Sequence, residues 1–151
     1  MKVLMIAADH GGWELKEKIK QQFPHIAWVD FGPTNSEESV DYPDFADLVC
    51  NKIKPEGNNP QGILVCGSGQ GMAIRANKFP AVRAALVWSE ESSRLAREHN
   101  NANVLCLGGR LLSTETAMAC VKAFIETPFA GGRHSLRLEK LHKPTSNSNC
   151  Q

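Results

Sequence analysis

Short apolar runs alternate with longer amphipathic stretches along the whole chain, and that alternation predicts the fold. Residues 3–8 read as a buried first strand. Residues 12–22 place Leu15 and Ile19 on one face and lysines on the other, the period of a helix. A second strand over 26–31 stops at Gly32-Pro33, and Pro43 suits the first turn of a helix running to about Lys54. The segment from Pro55 to Pro60 is loop punctuation. The continuous apolar run in 62–66 suits a central parallel strand covered on both faces. Further pairs follow: a helix over 72–77, a strand over 82–88, a helix over 90–98, a strand over 104–107. Ser113, with Thr116 three residues on, caps a helix to about Glu126, and a last helix covers 132–141. Repeated strand–helix units predict a three-layer αβα, Rossmann-like domain with a five-stranded parallel sheet. In such sheets ligands bind beyond the carboxyl ends of the strands.

Composition narrows the class. The 151 residues fit one domain, expected over 1–142 with a polar tail over 143–151, and 42% hydrophobic residues can fill its core. A net charge of +1 gives no bulk attraction for nucleic acid or an anionic membrane, so any anion must be held by a few placed cations. The first apolar run is too short for a transmembrane helix and lacks a signal peptide's cleavage pattern, so the expected compartment is the cytoplasm. The five cysteines (Cys50, Cys66, Cys106, Cys120 and Cys150) form no C-x-x-C pair or zinc-type cluster, and neither a disulfide framework nor a metal is expected.

The unusual residues fall just after strands. Asp9-His10-Gly11-Gly12 follows the first strand; the pair can bind or protonate a substrate oxygen, or serve as a helix-capping Asp beside an exposed His. Cys66-Gly67-Ser68-Gly69-Gln70-Gly71-Met72 follows the third. Its alternating glycines let the backbone approach a ligand and turn N–H groups inward, ahead of a helix start. The spacing is not the G-x-G-x-x-G of a dinucleotide site, and the G-K-[ST] of a P-loop is absent. Arg75 lies too far along to close a cysteine-phosphatase loop. An oxyanion fits better: proton removal beside a carbonyl builds an enediolate that fixed donors stabilise. Cys66 is placed as the base and Ser68 as a proton carrier between two substrate oxygens; the bland alternative is a buried cysteine ending its strand.

His99, in Glu98-His99-Asn100-Asn101-Ala102-Asn103, suits general acid–base work such as opening a cyclic sugar, or is a helix-terminal His followed by turn-forming asparagines. Arg133 and Arg137 are helix-face neighbours beside Gly131-Gly132 and His134, matched to phosphate or merely a solvated basic face, and Arg110 can join them. Tyr42, in a loop after Asp41, either packs on a sugar or caps the next helix. Trp13, Trp28 and Trp88 read as packing or interface residues.

Together these segments, with Asp41-Tyr42-Pro43-Asp44-Phe45-Ala46 and Ala76-Asn77-Lys78, resemble the type B ribose-5-phosphate isomerases and the related galactose-6-phosphate isomerase subunits, in order from about Lys2 to Leu141. The resemblance implies an enediol mechanism without a cofactor. Cys66 would move the proton between C1 and C2, and N–H groups from Gly67 through Gly69 to Gly71 would hold the enediolate with Ser68. His99 would open the furanose, with Asp9 near the ring oxygens and Asn100 beside the substrate. His10, Arg110, Arg133, His134 and Arg137 are the phosphate candidates. It also implies a homodimer, or a dimer of dimers, with sites shared between subunits. Cys66 together with Met72 points to the subgroup whose base is cysteine, and Gln70 stands where an apolar residue is common. An isomerase of a six-carbon sugar phosphate and a non-catalytic sugar-phosphate-binding module are the competing readings.

Overall fold

A computed structural model describes residues 1–145; most of the tail expected over 143–151, and Cys150, lie outside the described residues. The elements follow in the order β1 (Val3–Ala8), α1 (Trp13–Gln22), β2 (Ala27–Asp30), α2 (Tyr42–Cys50), β3 (Gly62–Cys66), α3 (Gln70–Ala76), β4 (Ala84–Leu86), α4 (Glu90–Asn100), β5 (Val104–Gly108), α5 (Thr114–Glu126) and α6 (Arg133–Leu141). The five strands form one parallel sheet in the order β2-β1-β3-β5-β4. The expected αβα architecture is the one observed.

Alternation along the strands divides the core. Leu4, Ile6, Ile63, Val65, Leu105 and Leu107 face Leu15 and Ile19 of α1, Ala96 of α4 and Val121 and Phe124 of α5. Ala7, Leu64, Cys66, Val104 and Cys106 face the other way, onto Ala46 and Val49 of α2 and Met72 and Ala76 of α3. Every residue of β3 and β5 is buried, as their unbroken apolar runs require. Helix α6 lies outside these layers against α4 and buries only Leu138.

Several boundaries differ from the sequence pattern: α3 spans Gln70–Ala76 rather than 72–77, β2 spans Ala27–Asp30 rather than 26–31, and three further elements differ with a visible cause. Helix α2 stops at Cys50; the chain then tightens into three-residue turns, Lys52 N–H to Val49 and Ile53 N–H to Cys50, which tuck Ile53 into the core. Edge strand β4 keeps three ladder residues, Ala84–Leu86; on either side Arg83 and Val87 still bond the β5 backbone, and side chains add to them. Before it the Arg83 N–H donates to Asn103 Oδ1 at 2.8 Å; after it the Trp88 N–H donates to Ser92 Oγ at 3.1 Å. Helix α4 runs two residues further, and Asn101 ends it in the left-handed conformation at φ 47°.

Helix α1 is tied to β2 by charge. Lys16 is 1% exposed and reaches Asp30 at 2.7 Å and Glu17 at 2.9 Å, and Lys20 joins the same pair of carboxylates at 2.5 and 3.0 Å. Burial works to raise the Asp30 carboxyl. Hydrogen bonds from Lys16, Lys20 and the Gly32 N–H outweigh it and hold that carboxyl below its ordinary range. Among the described residues no helix is long and apolar enough to cross a membrane.

A carboxyl depressed in the folded state stabilises the fold above its unfolded value of 3.8, and the contribution is lost as pH falls through the lower folded value. The urea midpoint of the wild type is therefore expected to drop as the pH is lowered below about 4. Asp30→Asn should start lower at pH 7 and flatten that slope; an unchanged slope in the variant would remove the linkage from Asp30.

Candidate active site

The strand order turns at β1 and β3: β1 leads outward to β2, and the chain then returns to lay β3 on the other side of β1. The segments following β1 and β3 part there, leaving a crevice beyond the strand ends. Asp9 follows β1, Cys66 ends β3, and Gly108-Gly109-Arg110 leaves β5 beside them. The Gly109 N–H donates to the Cys66 carbonyl at 2.8 Å and the Arg110 N–H to the Gly67 carbonyl at 2.9 Å, so the loops after β3 and β5 form one surface.

A hollow of about 470 Å³ opens on that surface, lined by Asp9, Tyr42, Cys66, Gly67, Ser68, Gly71, Arg110 and Leu111. The Cys66 sulfur accepts a hydrogen bond from the Gly69 N–H at 3.1 Å. Gly69 has φ 76°, the left-handed conformation that turns its amide back toward the sulfur. The Gln70 N–H goes to Ser68 Oγ at 3.3 Å. Part of the expected N–H cradle thus closes on the chain's own sulfur and hydroxyl. Tyr42 is the first residue of α2 rather than a loop residue, and its ring lies over Gly71, where a Cβ would come within 2.4 Å of it. Gln70 faces a different hollow, with Leu86, Trp88 and Leu111.

Asp9 carries both readings made of it. It is 7% exposed, and its Oδ1 accepts the Gly12 N–H at 2.9 Å at the start of α1, while the residue also lines the hollow. The Arg110 guanidinium lies over Gly11 and Gly67 and lines both this hollow and a neighbouring one of about 310 Å³ that holds His10 and Lys18. His10 Nδ1 accepts the Val40 N–H at 3.2 Å, which leaves Nε2 as the proton-bearing nitrogen of the neutral ring. Arg110 does not join Arg133 and Arg137 within the chain, because it leaves the opposite end of β5 from the one where α4 and α6 meet.

The remaining candidates lie at that other end. His99 falls inside α4, not after it, and its ring stacks on His134 of α6 with centroids 4.3 Å apart and planes at 17°. Arg133 and Arg137 are exposed on α6 beside them. Slight burial, His99, Arg133 and Arg137 lower the His134 ring below the ordinary histidine value, against Glu98. Asn100 lines a separate groove with Arg83 and His142. Because α4 ends just before β5 begins and β5 lies in register with β3, a five-residue strand, about 16 Å, separates this cluster from Cys66. The two groups are not brought together in one chain. The sequence reading missed Leu111, whose 70% exposure beside the hollow leaves only its apolar character as a signal. It also missed the serine capping box, Ser89 with Ser92, that starts α4.

Among the described residues no group of three or more His, Cys, Asp or Glu side chains is placed to hold a metal ion. What the crevice offers is one thiol with an aimed N–H donor, a carboxylate, a hydroxyl and a guanidinium around a space the size of a small sugar.

That arrangement belongs to a parallel α/β enzyme acting on a small polar ligand, and the comparisons with known proteins identify the family. The ribose/galactose isomerase family matches residues 4–141, and the chain belongs to it. The crystal structure of a Thermotoga maritima ribose 5-phosphate isomerase B superposes with a TM-score of 0.86 at 46% identity, over 93% of this chain and 97% of that one. The Mycoplasma genitalium ribose-5-phosphate isomerase B, solved with bound ribulose 5-phosphate, gives 0.87 at 42% identity over 93% of each chain. The ribose-5-phosphate isomerase B of Mycobacterium tuberculosis is 37% identical over 139 residues, 90% of this chain and 85% of that one.

The other described thiols are shielded. Burial pushes Cys50 up to about 12, helped by Asp47; it pushes Cys120 up to about 11, helped by Glu90, and Cys106 well above the ordinary value. Iodoacetamide at neutral pH is expected to alkylate Cys66 before Cys50, Cys106 and Cys120, read by peptide mass mapping. Labelling of any of those three ahead of Cys66 would overturn that order.

Proposed function

We propose that the chain is a ribose 5-phosphate/ribulose 5-phosphate isomerase working through an enediolate, with Cys66 as base. The observation that carries the reading is the Cys66 sulfur, met by the Gly69 N–H at 3.1 Å on the wall of a sugar-sized hollow in a ribose/galactose isomerase chain. The relative that holds ribulose 5-phosphate, 42% identical, supports the choice of a five-carbon substrate.

The steps follow from the residues. His99 passes the anomeric hydroxyl proton to the ring oxygen and opens the furanose, with Asp9 beside the sugar oxygens. The Cys66 thiolate takes the C2 proton. Negative charge moves to O1, where backbone donors of the Gly67–Gly71 turn stabilise it. Ser68 carries a proton from the O2 hydroxyl to O1, and Cys66 returns its proton to C1, giving the ketose and the starting thiolate. Tyr42 walls the sugar. The phosphate lies toward the second hollow, on Arg110 and His10, and these side chains suffice without a metal or cofactor.

His99, Asn100, Arg133, His134 and Arg137 lie about a strand's length from Cys66 in the same chain. We assign them to the partner's site in a homodimer of chains whose catalytic domain spans 1–142. The free described thiols support a reducing, cytoplasmic setting, where the reaction forms part of the pentose phosphate pathway.

Two measurements test this. In D2O, wild-type protein and ribose 5-phosphate should give ketose with exchange of the C2 proton by NMR, and Cys66→Ala should lower the rate roughly 10³-fold or more. Wild-type turnover in that variant would eliminate Cys66 as the base. Separately, assayed from ribose 5-phosphate at enzyme concentrations where unassisted ring opening limits His99→Ala to a small fraction of the wild-type rate, Cys66→Ala and His99→Ala should together regain about a quarter of wild-type activity when mixed and reassociated: half the dimers are mixed, and one of their two sites is intact. A mixture as inactive as its components would place each site within one chain.

A further inference from the structure

Arg97 lies on α4 two residues before His99, and only 1% of it is exposed. Among the described residues no carboxylate pairs with it. Its Nε donates to the Thr127 carbonyl at 3.3 Å, one terminal nitrogen to Asn101 Oδ1 at 3.1 Å and to the Ala102 carbonyl at 2.5 Å, and the other to the Asn58 carbonyl. The guanidinium also lies over the Phe124 ring, 5.8 Å from its centre. Burial and the nearby Arg83 lower it to about 10, which leaves it charged at neutral pH.

The acceptors come from three segments: the loop between α2 and β3, the turn that ends α4, and the link from α5 to α6. Two further bonds close the same knot. Asn101 Nδ2 donates to Asn58 Oδ1 at 2.8 Å, and the Ala130 N–H donates to the Glu98 carbonyl at 3.0 Å. Glu98 precedes His99, and Ala130 leads into the helix that carries His134. A rigid, planar fork of donors therefore fixes both backbones that carry the stacked imidazoles.

We propose that Arg97 is the positioning residue for His99: its guanidinium sets the end of α4 so that the imidazole meets the ring oxygen of an aldose phosphate held in the partner subunit's hollow. The proposal rests on the ring-opening role assigned to His99 above.

The test uses a chemical asymmetry. Ribose 5-phosphate closes a furanose through O4, whereas in ribulose 5-phosphate O5 is esterified and the ketose stays open. An enzyme that cannot open rings must wait for spontaneous opening, so its aldose-to-ketose rate stops rising with enzyme concentration. In the ketose-to-aldose direction the initial rate stays proportional to enzyme. A smaller fraction of well-folded protein lowers a slope but creates no bend.

Initial rates are measured in both directions against enzyme concentration for wild type, Arg97→Lys, Asn101→Gly and His99→Ala. Arg97→Lys keeps the charge and loses the fork. Asn101→Gly keeps the left-handed turn and loses one acceptor, and it serves should Arg97→Lys fold poorly. Wild type should be proportional both ways. Arg97→Lys should bend in the aldose direction alone, its slope beyond the bend lower by roughly tenfold or more, with Asn101→Gly bending less. If His99→Ala stays proportional in both directions, ring opening by His99 fails and the proposal falls with it. If His99→Ala bends while Arg97→Lys and Asn101→Gly stay proportional, or only lose slope equally in both directions, Arg97 is a structural arginine and the proposal alone is overturned.

Discussion

A parallel sheet gathers the carboxyl ends of its strands at one end, and every helix that returns to start the next strand delivers its own carboxyl end at the other. That polarity decides what this chain can hold by itself. Cys66 and Asp9 end or follow strands; His99 ends a helix. With β3 and β5 in register over their full length, no loop movement brings the imidazole to the thiol while the sheet stays intact. In the homodimer proposed above, a two-fold axis would resolve the separation, because the Cys66 end of one chain would meet the His99 end of its partner and two equal sites would form at once. The order in which the elements are connected thus separates the two groups within one chain and is what the proposed sharing of the site answers.

The Cys66 end owes its shape to the same connectivity. With α1 on one face and α2 and α3 on the other, the segments after β1 and β3 diverge and leave the crevice open without any strained insertion. Cys66 belongs to the core cluster that holds Leu64, Met72 and Cys106, so apolar packing backs the sulfur and leaves the Gly69 N–H as its polar contact. An N–H aimed at sulfur in a dry setting acts more strongly than the same contact in water. Of the charged groups at this hollow, Arg110 stays exposed on the rim, whereas Asp9 is buried and accepts the Gly12 N–H.

Most of the architecture was legible because the central strands are continuous apolar runs and the helices carry clear periodicity. Boundaries failed where tertiary contacts outvoted pattern: Ile53 pulls the chain out of α2, and beside β4 the Asn103 and Ser92 side chains bind the Arg83 and Trp88 N–H groups. The Cys66, Ser68 and Asp9 cluster was legible because ligands in this architecture collect at and beyond strand ends: Cys66 ends β3, and Ser68 and Asp9 follow strands. The stack of His99 on His134 was not, since a contact between two helices 35 residues apart leaves no period in the sequence. Nor was the separation of Arg110 and His10 from Arg133 and Arg137 within the chain, because an arginine after a strand and two arginines on a late helix look alike until the sheet assigns them to opposite ends.

Buried polar side chains mark where the fold needs a fixed position that ladders cannot supply. Asn103, fully buried, accepts the Arg83 N–H and donates to the Ala81 carbonyl at 2.8 Å each, holding the entry to an edge strand too short to hold itself. Lys16 spans from α1 to Asp30 on the other edge strand. Arg97 does the corresponding work at the end of α4, where no strand is available to organise the loop, the turn and the link. An apolar residue of similar length would fill the same space and leave the carbonyls of Asn58, Ala102 and Thr127 and the Asn101 side chain without this donor. Buried acceptors left without a donor are costly, and the backbone that bears two of them, at Asn101 and Ala102, leads directly from His99.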